Sequence, residues 1–336
     1  MTFATFGDLA SAFQSRHMNA QLKRDMTRLG IELTTGQKAD LAVAVSGDFG
    51  PIAGIDHTLS LLVAYKQSTN EASLMVGAAQ TAMGNFQEQT QDLSAALIGA
   101  VSSQNSVLVQ TTANDAREKF SAIVASLNSA VGGRAIFAGA ATDGPAVVGA
   151  KTILSELAVA IAGETTAAGV SSRIDEWFLT PGGGFETTAY LGASTDLGSF
   201  RLRDGERVTQ SIKASDAEIR EMLSAFAKSA IIAEGALTGD VQGQKELAKM
   251  SSEGLLAASD DLTFARARVG VLEARIEAVS VRNASEKSAL ELSRNEIVAA
   301  DPYETATALK AAHSQLQSLY TVTATLSNLS FTDYMR

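Results

Sequence analysis

Apolar residues recur at alternating steps of three and four along the last quarter of the chain. Leu255, Ala258, Leu262, Ala265, Val269, Leu272, Ile276 and Val279 hold that spacing without a slip, which is the seam a helix presents to packed partners. The phase runs on through Asn283, Glu286, Leu290, Ser293 and Ile297, so the period outlasts its apolarity. A single helix over 255–297 would be roughly 60 Å long at about 1.5 Å per residue and has to lie on other helices to be stable. At Asp301-Pro302-Tyr303-Glu304 a new helix start is written, with Asp301 as cap, Pro302 at the first helical position and Glu304 as the acid of a capping box. Beyond this joint Leu309, Ala312, Leu316, Leu319, Thr323 and Leu326 resume the pattern, while Tyr320, Val322 and Leu329 widen the apolar face. A C-terminal stretch this amphipathic needs a partner, in the same chain or in another molecule.

The N-terminal pattern is less regular. Residues 8–33 predict a helix with Leu9 and Phe13 on one face and Leu22, Met26, Leu29 and Leu33 on another, the phase shifting at Arg16 and His17. Gly36, after Leu33-Thr34-Thr35, stands where a helix ends in the left-handed conformation that glycine tolerates. After a loop through 46–51, Leu62, Tyr65, Thr69, Ala72, Val76, Ala79, Met83, Phe86, Thr90, Leu93, Leu97 and Ala100 form a second long seam. A polar gap over 102–106 precedes a third, Val109, Ala113, Ala116, Phe120, Ile123, Leu127 and Ala130, closed by Gly132-Gly133. Seams on both sides of the middle imply a bundle whose helices come from both ends of the chain.

The middle differs in kind. It reads as a short strand over 135–139, a helix over 152–162, strands over 187–191 and 199–203, and a hairpin turn at Asp204-Gly205 leading into 206–212. Ser215-Asp216-Ala217-Glu218 then caps a helix bearing Ile219, Leu223, Phe226 and Ala230. The expected fold is mainly α: a long-helix coiled-coil bundle formed by both chain ends, with a small α/β insertion in the middle. In domains, 1–37 with 302–336 form a terminal coiled coil, 38–140 with 236–301 a helical bundle, and 141–235 a small outer insertion.

Composition narrows the functions. With 336 residues, 46% of them hydrophobic, the chain can bury a substantial core. Aromatic residues are only 6%, and small side chains suit close helix packing better than an aromatic-lined pocket. A net charge of −10 and a pI near 4.9 weigh against nucleic acid or an anionic membrane as partner. The absence of cysteine excludes disulfides, thiolate metal sites and cysteine nucleophiles. The first residues lack the basic and apolar regions of a signal peptide, and no apolar run suits a membrane helix, so the default expectation is a soluble cytoplasmic chain unless a leaderless export route carries it.

No catalytic constellation stands out. His17, His57 and His313 are isolated along the sequence, and exposed helical histidine explains them better than metal ligation. Gly182-Gly183-Gly184 lacks the spacing and strand-loop-helix context of a phosphate loop and reads as a flexible turn. There is no nucleophile elbow, the acids scatter over helix faces, and Asp260-Asp261 is most simply a solvated face. Asn283 and Asn328 begin Asn-x-Ser triplets within helical pattern or at its end, which fits chance. The sequence is therefore read as carrying no catalytic, cofactor-binding or metal residue.

A resemblance is carried by both ends. The core of 29–38, Leu33-Thr34-Thr35-Gly36-Gln37-Lys38, resembles the N-terminal L-S-S-G-K segment of the bacterial flagellin family. Gly133-Arg134-Ala135-Ile136-Phe137-Ala138-Gly139 resembles the family's G-x-Y-L-F-A-G motif, with Ile136 at the usual leucine and Ala135 where tyrosine is common. Val269-Gly270-Val271-Leu272-Glu273-Ala274-Arg275-Ile276 is similar to its V-G-x-x-x-x-R-L stretch. Asp301-Pro302 and the closing Leu326-Ser327-Asn328-Leu329-Ser330-Phe331-Thr332-Asp333-Tyr334 look more like the hook-associated proteins of this family that join hook to filament than like flagellin itself. The likeness covers about 1–140 and 240–336; Gly47-Asp48-Phe49-Gly50-Pro51 departs from the family's D-D-P element.

This resemblance implies a non-enzymatic structural subunit with no cofactor. It implies export through the flagellar type III apparatus to an extracellular hook–filament junction, and an export chaperone bound at the C-terminal region. The implied partners are further copies of itself, flagellin and another hook-associated protein, through paired N- and C-terminal helices, with no nucleic acid and no membrane insertion. Assembly contacts are expected at Leu9, Phe13, Leu29, Leu33, Leu309, Leu316, Leu319, Leu326 and Leu329. The bundle core is expected at Leu62, Val76, Phe86, Leu93, Phe120, Leu127, Phe137, Val269, Leu272 and Ile276. The alternatives are a divergent flagellin building the filament, then a soluble signalling or tethering coiled coil, and last an enzyme hidden in 141–235.

Overall fold

The computed structural model describes the backbone of residues 6–103 and 105–334 and the side chains of residues 10, 12–103 and 105–325. The fold is mainly α. Contacts divide the chain into two compact units, Met1–Leu61 with Ser285–Arg336, and Leu62–Ala284. The helices are α1 (Phe6–Thr35), the single turn α2 (Leu41–Ala44), α3 (Gly50–Ser102), α4 (Ser106–Leu127), α5 (Ala150–Ala160), α6 (Ala167–Leu179), α7 (Ala217–Ala233), α8 (Val241–Val298) and α9 (Pro302–Tyr334). Two small antiparallel hairpins complete it, β1 (Ala130–Val131) with β2 (Arg134–Ala135), and β3 (Phe200–Arg203) with β4 (Glu206–Val208).

In the unit of residues 62–284, α3 and α8 run antiparallel. Gln87 donates to the Thr263 hydroxyl at 2.7 Å, Gln91 to the Ser259 hydroxyl at 3.3 Å, and Ser94 to the Ser252 carbonyl at 3.3 Å. Their apolar seams share one core with α4 and α7, in which Phe86, Phe120, Phe137, Phe226, Met83 and Leu93 are almost fully buried. Polar positions in the seams bond within it: Thr69 and Thr90 donate to carbonyls one turn earlier. Asn283, itself buried, donates to the Leu202 carbonyl of β3 at 2.9 Å.

Helix α7 lies inside this core. From Met222 to Ile232 every residue is buried, and α7 packs along α4 and α6. An apolar stripe widened by Ala225, Ala227, Ala230 and Ile231 gives this helix water-excluding neighbours on nearly all sides. Helix α6 was not foreseen; its Val170, Ile174 and Phe178 keep a four-residue step that Gly169 and the flanking glycines disguise. Asp175 on α6 accepts from Ser224 at 2.7 Å and from Lys228 at 2.8 Å, so the buried lysine on α7 is neutralised across that contact.

Two strand expectations also change. Residues 187–191 do not pair as a strand; Phe185–Ala189 is a single π-helical turn, and only Tyr190 bridges to Val147. This turn is held by aromatic packing, with Phe185 5.6 Å from Phe178 and 6.3 Å from both Trp177 and Tyr190 between ring centroids. Of 135–139 only Ala135 is in a ladder, yet the segment is locked by backbone bonds. Ile136 donates to Ser129, Ala193 to Ala138, and Ala214 to Phe137, at 3.2, 2.9 and 2.9 Å.

At Gly182-Gly183-Gly184 the turn has φ +72° at Gly182, and Gly183 and Gly184 are tightly packed. A methyl group at Gly183 would meet carbonyl oxygens of Thr180, Glu176 and Trp177 at 2.8 to 2.9 Å, and one at Gly184 would overlap the Trp177 indole at 1.9 Å.

Candidate assembly surface

Within the unit of residues 1–61 and 285–336, the two chain ends meet. Gly36 ends α1 with φ +69°. Lys38 then donates to the Val298 carbonyl at 2.8 Å and Ala300 to the Gly36 carbonyl at 3.0 Å, around the Gln37–Ala299 bridge. The joint that follows has the cap chemistry read in the sequence: Asp301 Oδ1 accepts from the amides of Tyr303 and Glu304 at 2.8 and 3.0 Å, ahead of Pro302 in the first turn. This staple sets α1 and α9 side by side and antiparallel, with Leu29 near Thr305 and Ala308, and Met18 and Leu22 near Leu319 and Val322.

Charge is settled locally at the stapled end. The Glu32 side chain is buried, and its Oε1 accepts from the Ala39 amide at 3.1 Å and from Arg28 at 3.2 Å, while Arg28 also lies 3.6 Å from Asp25. Further along, the neighbouring Asn19 and Lys23 side chains hold the Tyr320 phenol below its ordinary pKa by hydrogen bonding.

Two helices alone cannot enclose their apolar faces. Leu29, Thr305 and Ala312 are buried, and Leu309, Leu316 and Leu319 are half-buried. Phe13 is 72% exposed, and Leu33, Met18, Ile31, Tyr320 and Val322 are exposed as well. A groove of about 550 Å³ between the helices is lined by Met18, Leu22, Leu319 and Val322. The side chains of Leu9, Leu326 and Leu329 lie outside the described residues. Met18 and Ile31 lie outside the seam read along α1, Met18 turned to the groove against α9 and Ile31 to the side of residues 39–41.

The other named residues lie in the unit of residues 62–284. Leu62, Val76, Phe86, Leu93, Phe120, Leu127, Phe137, Val269 and Ile276 are buried there, whereas Leu272 is half-buried at the core's edge. His17, His57 and His313 lie on helices, His313 within 3.1 Å of Gln317. Among the described residues no group of three or more histidine, aspartate or glutamate side chains is placed to hold a metal ion, and no helix is long and apolar enough to cross a membrane.

Residues 254–335 match the family model of the bacterial flagellin C-terminal helical region, so the chain carries that region over most of α8 and α9. No curated protein matches the chain in sequence. Among solved structures, a protein assigned as flagellar hook-associated from Vibrio parahaemolyticus is similar at 10% identity and TM-score 0.49, over 73% of this chain and 94% of the other. FlgL of Bacillus cereus is similar at 14% identity and TM-score 0.49, over 70% and 96% respectively. Likeness this distant decides nothing about activity.

Proposed function

We propose that this chain, which bears a flagellin C-terminal helical region, is a self-assembling structural subunit of the bacterial flagellum. Its own place is the junction between hook and filament, outside the cell. The observation that carries this reading is the stapled α1–α9 pair, made from both chain ends and leaving Phe13, Met18, Ile31, Tyr320 and Val322 exposed along it. Exposed apolar side chains in such a series belong to a surface meant to be covered, and more copies of the same pair are the simplest cover. Flagellin on one side, another hook-associated protein on the other, and an export chaperone masking the C-terminal region before assembly complete the proposed partners. Its work is structural and involves no catalysis.

Leu316→Ala combined with Leu319→Ala tests this directly. Both side chains are half-buried in the α1–α9 pair, so the monomer should keep its main melting transition while losing assembly, read by sedimentation and by immunogold labelling of isolated hook-basal bodies. Label confined to the hook tip supports the junction placement, and label along whole filaments points to a divergent flagellin. A double variant that assembles like the parent would remove the terminal pair from the mechanism.

A further inference from the structure

The β3–β4 hairpin sets two like charges against each other. Arg201 on β3 stands directly opposite Arg207 on β4, and both are exposed on the hairpin's outer face while Leu202 and Val208 fill the inner one. Like charges opposed across two strands repel. The surroundings add more positive charge: Arg275 and Arg282 of α8 both reach the single carboxylate of Glu206, at 3.4 and 3.6 Å, and remain 50% and 56% exposed. The Arg201 guanidinium is 2.7 Å from Asp204 and sits 5.6 Å over the Tyr65 ring, so it is held in place and still 52% exposed. Guanidiniums left half-exposed beside their pairs can still take further carboxylates, which they bind bidentately.

The matching charge lies at the far end of the same unit. The hydrogen bonds linking α3 to α8 place residues 88–94 of α3 beside 252–263 of α8, away from Tyr65 and the hairpin. Along 241–261 of α8 stand Glu246, Glu253, Asp260 and Asp261 against Lys245 and Lys249, of which Lys249 pairs with Glu253 at 3.8 Å, whereas along 262–284 stand Arg266, Arg268, Arg275 and Arg282 against Glu273 and Glu277, with Arg268 paired to Glu218 of α7 at 2.5 Å. On α3, Glu88 and Asp92 add to the acidic end. The unit is therefore polar in charge along the α3–α8 direction, inside a chain of net charge −10.

We infer that the outer face of the β3–β4 hairpin docks onto the acidic α3–α8 end of a second copy of this chain. Two different patches meeting head to tail form a heterologous contact, which propagates into a ring or a helical row instead of closing as a dimer. The inference rests on the self-assembly proposed above and adds to it a contact remote from the terminal helices. Charge complementarity of this kind sets register and speeds encounter, and screening weakens it as the Debye length shrinks from about 10 Å at 0.1 M salt to about 3 Å at 1 M.

The test uses the full chain in sedimentation velocity across a NaCl series. Parent association should weaken as salt rises, and Arg201→Glu with Arg207→Glu should weaken it about tenfold at low salt. That variant should still unfold cooperatively, since both side chains are exposed and only the Arg201 contacts with Asp204 and Tyr65 are lost. Asp260→Lys with Glu253→Lys should do the same, and a mixture of the two variants should associate better than either alone, because each supplies the patch the other still recognises. Hairpin reversal that leaves association and its salt dependence unchanged, while Leu316→Ala with Leu319→Ala abolishes association, overturns this inference and spares the terminal-helix reading. A parent chain that never associates overturns both.

Discussion

A methyl group added at Gly139 would stand 2.5 Å from the Thr195 carbonyl oxygen, and the residue has φ +60°, so both space and backbone conformation demand glycine there. That is the physical content of the Phe137-Ala138-Gly139 motif: the chain passes under a loop whose Thr195 carbonyl also accepts the Ala140 amide at 3.0 Å. Asn128 does a related task, its amide side chain exchanging two 2.9 Å hydrogen bonds with the backbone of Val147 as a paired strand would. Glu221 on α7 offers a prediction in pH. Although Glu221 lies on the exposed side of α7, partial desolvation first and then the neighbouring Asp261 carboxyl raise its pKa. A carboxyl raised in the folded state contributes stability that is fully present below its unfolded value, about 4.3, and is lost as pH rises through the folded value. Glu221→Gln should therefore raise the melting temperature at pH 7 and change it little at pH 4, as thermal circular dichroism at the two pH values would report. An equal effect at both would mean that proton binding at this site is not linked to folding.

Among elements, the contrast is between α7 and the edge of α8. Phe226 is fully buried where α7 meets α4, so Phe226→Ala should cost about 3–5 kcal/mol and lower Tm on the order of 10 °C for a unit of this size. Leu272→Ala, at a half-buried site, should cost clearly less than Ile276→Ala, which removes a buried side chain. Urea or thermal melts of the three variants order these effects; Leu272→Ala proving the worst would mean that the α8 seam carries the core more than α7 does.

For the whole molecule, the burial of α7 changes what can be removed. Cutting out 145–233 deletes α5, α6, both strands of the second hairpin and α7, leaving α4 without the surface that covers Phe120, Ile123 and Val124. The deletion chain should lose cooperative unfolding and bind a hydrophobic dye, both measurable on the purified protein. A cooperative melt close to the parent's would show that α3, α4 and α8 form a sufficient core by themselves.

What is local and periodic was legible in the residues alone. Heptad spacing marked α3, α4, α8 and α9 because a residue and its neighbours three and four along share one helix face whatever lies opposite. Asp301-Pro302, Gly36 and Asp204-Gly205 marked ends and turns because capping and left-handed backbone are short-range chemistry. The matched flagellin C-terminal region begins near Gly254 and follows that same regular pattern. Only the tertiary structure decided which stripes face one another: that α7 enters the core beside α4, that the glycines at 183 and 184 lie against Trp177, and that Arg201 opposes Arg207. The last two depend on local irregularity, the tight turn before Phe185 and the register shift between Arg201 and Arg203, and the first on where the chain returns after a loop. The same holds for the exposed face of the α1–α9 pair, which is visible only once two helices are seen to be too few to bury it.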